Sequence, residues 1–118
     1  MTTSGQHSGI EMERGSPIDE QFAALSNVHR RRLFIALLAH DQQREPVIVP
    51  DDVHEGDIPL ESLQVELFHT HLFRLEEAGF IRWNPATHEV TRGPKFDEIR
   101  PLLEVLRDHA EALPGEWV

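Results

Sequence analysis

The stretch from Leu60 to Ala78 constrains the fold more than any other. Leu60, Leu63, Leu67, Phe68, Leu72, Leu75 and Ala78 form the apolar stripe of one helix, and Gly79 supplies the left-handed residue that stops it. Directly after it, Phe80-Ile81-Arg82-Trp83 and Glu89-Val90-Thr91-Arg92 are β-prone, and the intervening Asn84-Pro85 marks a turn. A long helix followed by a short β-hairpin is therefore predicted, with Gly93-Pro94 ending it.

Around this centre the chain reads mostly helical. Asp19 to His40 is predicted as two helices parted at Ser26-Asn27, with Asn27 capping a helix that begins at Val28 and buries Leu33, Phe34, Leu37 and Leu38. Val47-Ile48-Val49, bracketed by Pro46 and Pro50, is short but adequate as the third strand of a small sheet. A helical turn can follow Pro50, with Asp51 and Asp52 in its first turn. The last helix spans Asp97 to Leu113; Pro101 lies in its first turn, or the helix proper begins there. The resulting class is α+β, mainly helical: a disordered tail over 1–18, a winged helix-turn-helix domain over 19–113 with a two-stranded wing and a C-terminal dimerisation helix over 97–113, and a short tail over 114–118.

Composition narrows the function classes. A chain of 118 residues has room for one modest core, and the absence of Cys removes disulfides, Cys-ligated zinc and thiol chemistry together. The formal charge of −10 argues against a basic coat protein but leaves DNA binding open, because the local field at the contact decides. Residues 41–66 carry eight acids against Arg44, a net −7, whereas 67–95 carry net +1. Lys95 is the only Lys beside ten Arg, a carboxylate-rich, lysine-poor balance that resembles proteins of salt-in halophiles, where the screening length is about 3 Å. No apolar run reaches the roughly 20 residues of a membrane span, and MTTSGQHSGI lacks the blocks of an export signal, so a cytoplasmic protein without membrane partners is expected.

Two stretches carry a family resemblance. Ala24-Leu25-Ser26-Asn27-Val28-His29-Arg30-Arg31-Arg32-Leu33-Phe34-Ile35-Ala36-Leu37-Leu38 resembles the opening helix of ArsR-like winged-helix regulators, with Val28 where they often have Pro. Val65 to Ile81, reading VELFHTHLFRLEEAGFI, is similar to the long-helix motif of small haloarchaeal ArsR-like domains, with Phe73 where relatives usually have Pro. With the hairpin, the resemblance covers about residues 20 to 92. It implies a winged helix-turn-helix fold and a role in transcription regulation.

If the long helix reads DNA, Gln64, His69, Thr70 and Arg74, with His71 as a further candidate, lie off the buried stripe and suit base edges or phosphates. Glu66, Glu76 and Glu77 oppose this unless they point away. On the hairpin, Arg82 and Arg92, with His88 at the tip and Lys95 beyond, form either a phosphate clamp or a pair of solubilising arginines. Arg30, Arg31 and Arg32 are spread over about 200° of a helix and cannot form one face; the resemblance implies that they are scaffold, with Glu76 or Glu77 as a partner. His69 and His71 lie about 200° apart and cannot chelate one ion, so no metal is expected. No nucleophile elbow, phosphate loop or cofactor fingerprint is present; neither catalysis nor a cofactor is expected.

Leu102, Leu103, Leu106, Ala110 and Leu113 exceed one narrow stripe and read as a dimer interface, which Trp117 either caps or leaves free. The expectation is a homodimeric transcriptional regulator on double-stranded DNA. Its rival is a winged-helix module that has lost DNA binding and takes a protein partner through residues 41–66 or the last helix.

Overall fold

A computed structural model describes residues 17–40 and 46–118. The first helix, α1 (Ile18–Ala24), starts after Pro17 with Asp19 and Glu20 in its first turn, where carboxylates favour the exposed N–H groups. The tail expected over 1–18 therefore gives way to helix at Ile18; its first 16 residues lie outside the described ones. In α2 (Val28–Ala39) Asn27 caps the start as predicted, its Oδ1 accepting from the His29 N–H at 2.8 Å. Strand β1 (Val47–Ile48) and a 3₁₀ turn over Asp51–Val53 follow. Asp52 ties the two, accepting from the Ile48 N–H at 2.8 Å.

The long helix consists of α3 (Leu60–Glu66), one π turn (Leu67–His71) and α4 (Leu72–Glu77). The π turn answers an irregularity in the apolar stripe. Leu67 and Leu72 stand five apart, and at about 100° per residue a straight α-helix would turn Leu72 well off the Leu67 face. A π turn takes in one extra residue and brings Leu72 back to the core, where both leucines are fully buried. Leu60, expected on the inward stripe, is instead 41% exposed at the helix start.

Gly79, at φ +90, ends the long helix. Strands β2 (Ile81–Asn84) and β3 (Glu89–Arg92) then pair antiparallel, with Ile81 opposite Arg92 and Asn84 opposite Glu89. Asn84 shapes the turn: its Oδ1 accepts from the Ala86 N–H and its carbonyl from the His88 N–H. Strand β1 pairs with β3, Val47 opposite Val90, so the sheet order is β1-β3-β2. Gly93 passes so close beneath the helix end that a Cβ there would meet the Gly79 carbonyl oxygen at 2.5 Å and the Ile81 nitrogen at 2.6 Å.

The last helix, α5 (Phe96–Asp108), is shorter than predicted; after His109 the chain makes only a 3₁₀ turn over Ala110–Ala112. It runs through Pro101, its sixth residue, so neither predicted placement of Pro101 holds. The exposed position leaves the Asp97 carbonyl, deprived of its N–H partner, open to water. The fold is thus a small mixed α/β one, mostly helical, with a minor three-stranded sheet. Phe34, Phe80 and Phe96 meet at its centre, with ring centroids 6.1 and 6.4 Å from Phe34. No helix of the described residues is long and apolar enough to cross a membrane.

The core revises the expected dimer face. Leu103 is 1% exposed and belongs to the chain's own core, while Leu102 and Leu106 are half-buried against it. Ala110 and Leu113 lie past the end of α5 and are half-buried. On the first and last helices the large apolar side chains left open are Val105 on α5 and Ile18 and Phe22 on α1. The C-terminal stretch is held by α2, because Arg31 donates through Nε to the Trp117 carbonyl.

Candidate nucleic-acid interface

The outward side of the long helix carries Val65, His69, Thr70 and Phe73, all exposed, with Phe73 61% and Val65 57% open. Gln64 is half-buried. Two of the acids that would repel phosphates are engaged within the chain. The Glu76 carboxylate accepts from the Trp83 N–H at 3.1 Å, satisfying the outer edge of β2, and Glu66 turns toward two histidines. Glu77 lines a cleft against α1, as does Arg74. Of the predicted reading set, His69 and Thr70 are thus together and outward, and Arg74 faces the α1 side.

His71, a candidate for the outward set, is 5% exposed. Its Nδ1 accepts from Arg30 Nε at 2.8 Å and its Nε2 lies 3.7 Å from Glu66 Oε1; His29 Nε2 lies 3.8 Å from the same oxygen. Burial, reinforced by the Arg30 charge, holds the His71 imidazole below the usual histidine pKa, against the pull of Glu66. Burial, and then Arg74, also lowers the Arg30 guanidinium. Accepting from Arg30 leaves the proton of neutral His71 on Nε2, so neither ring nitrogen offers a lone pair to a metal. Among the described residues no group of three or more His, Cys, Asp or Glu could hold a metal ion. The four-residue steps Leu67, His71, Leu75 are the sequence signal that places this histidine inward.

Each member of the arginine triplet is committed within the chain, though to neither Glu76 nor Glu77. Arg30 also donates to the Ala23 carbonyl at 3.0 Å, Arg31 to that of Leu25 at 2.7 Å, and Arg32 pairs with Asp57 at 3.2 Å.

The hairpin separates its two arginines. Arg82 stands opposite Thr91, so alternation puts Arg82 and Thr91 on one face and Arg92 on the other. Arg82 is exposed. Arg92 is half-buried: it donates to the carbonyls of Leu37 at 3.2 Å and Leu38 at 3.3 Å, closing the end of α2, and its guanidinium lies 4.4 Å from the centre of the Phe96 ring. The predicted two-arginine clamp is not assembled. His88, at φ 63, folds back onto Phe68 with ring centroids 5.0 Å apart, and its carbonyl accepts from the Val49 N–H. Lys95 is exposed; a Cβ at Gly79 would meet its stem at 3.0 Å.

Comparison with protein-family models, with curated proteins and with solved structures finds no significant match.

Proposed function

We propose that this chain is a non-enzymatic winged helix-turn-helix protein that binds duplex DNA as a homodimer. The observation that carries the reading is the element order with sheet order β1-β3-β2, which sets a two-stranded hairpin beside a long helix whose outer side is open. Two of the acids of that helix, Glu66 and Glu76, have partners within the chain. His69 and Thr70 are the reading pair, Phe73 and Val65 suit thymine methyl groups, and Arg82 is the phosphate contact of the wing. Two-fold pairing would set two such helices about 34 Å apart, one turn of DNA.

Fluorescence anisotropy with duplex from the chain's own promoter, at molar and at reduced KCl, tests the reading. Arg82→Ala is expected to weaken binding and lower the slope of log affinity against log salt by about 1, whereas Arg92→Ala costs stability first. Absence of binding by folded protein at both salt levels favours a second reading, suggested by the exposure of Val65 and Phe73: a protein partner on the same helix.

A further inference from the structure

A cleft of about 420 Å³ opens between α1 and α4. Its floor is apolar, made by Ala24, Leu75 and Phe80, which are buried. Two guanidiniums, Arg30 and Arg74, line it together, with Glu20 and Glu77 as further lining groups. Arg30 spends Nε on His71 and one Nη1 hydrogen on Ala23, leaving three of its five donors. Arg74 makes no hydrogen bond or ion pair among the described residues, and neither arginine pairs with Glu20 or Glu77. Two like charges are thus held near one another with no salt bridge to either among the described residues, and burial together with Arg74 disfavours the charge on Arg30.

We infer that this cleft binds a free α-amino acid with an apolar side chain, its carboxylate between Arg30 and Arg74. A carboxylate accepts from both guanidiniums and offsets their repulsion, which is the strongest polar contact this cleft can offer. The two acids decide the rest of the ligand. They oppose a dianion such as phosphate and accept from an ammonium group, so a zwitterion matches the lining charge for charge. The size lies within the 300 to 1,000 Å³ or so of small-ligand sites, and exposed Ala23 with the alkyl stems of the two arginines offers apolar surface to an aliphatic side chain. The site stands whether or not the long helix reads DNA. Because Arg74 belongs to α4 and Arg30 holds His71, an occupant there bears directly on the long helix.

Isothermal titration of L-leucine into the full chain at molar KCl, beside 4-methylpentanoate and isopentylamine, tests the inference. Saturable leucine binding is expected, weaker by about tenfold or more in Arg74→Gln, an exposed position whose loss leaves the fold intact, and unchanged in Arg107→Gln. Removing the ammonium (4-methylpentanoate) should weaken binding, and removing the carboxylate (isopentylamine) should abolish it. No saturable leucine binding, an Arg74→Gln affinity equal to wild type, or equal affinities for leucine and 4-methylpentanoate overturns the inference.

Discussion

His71 shows how one residue ties the long helix to α2. Its neutral ring accepts the Arg30 hydrogen bond, and burial with the Arg30 charge disfavours the protonated form. The unfolded chain titrates this histidine near 6.5, and the folded chain lower. Between those two values the unfolded state binds more protons, so folding stability contributed by His71 is complete above the unfolded pKa. It is lost as pH falls through 6.5 toward the folded value. Unfolding free energies from urea titrations between pH 8 and pH 5 should therefore fall on the acid side, by no more than about 1.4 kcal/mol per pH unit for one proton. His71→Gln should flatten part of that slope. An unaltered slope in His71→Gln would assign the dependence to other groups.

At the scale of the element, the π turn is a register device. Leu63, Leu67, Leu72 and Leu75 face one core although Leu67 and Leu72 are five apart, and the extra residue is absorbed within Leu67–His71. Deleting exposed His69 brings the two leucines to α spacing, so the variant is expected to stay within about 1–2 kcal/mol of wild type in urea denaturation. Deleting Val65, in the α-helical part, rotates Leu63 by about 100° against the rest of the stripe and should cost several kcal/mol, on the order of a lost core leucine. Equal losses in the two variants would show that the π turn does not set the register.

At the scale of the whole molecule, the core and the proposed dimer face divide the apolar residues of the terminal helices. Gln21 Nε2 donates to the Glu98 carbonyl at 3.1 Å, so α1 touches α5 near Glu98, and Val105 stands two turns beyond Glu98. Ile18, Phe22 and Val105 are open while Leu103 is inside. Phe22→Glu should raise the dimer dissociation constant by about 100-fold in analytical ultracentrifugation and leave the urea midpoint of the monomer nearly unchanged. Leu103→Ala should do the converse, costing about 2–5 kcal/mol through a cavity. A Phe22→Glu protein that associates like wild type removes this face from consideration.

The sequence by itself determined what short-range physics controls. Asn27 as a cap, Gly79 as a stop and Asn84-Pro85 as a turn act on neighbours within a few residues, and the helices, the hairpin and the short third strand were legible from them. Only the tertiary structure decided which side chains remain available. Arg92 looked equivalent to Arg82 until α2, 54 residues away, offered the Leu38 carbonyl, and the spacing that turns His71 inward did not name Arg30, 41 residues away, as the partner of its ring. The inward face of α5 depended likewise on which helix packed against it. Helical and strand periodicity are written into consecutive residues, whereas the partner of a long polar side chain is set by distant segments that no local spacing encodes.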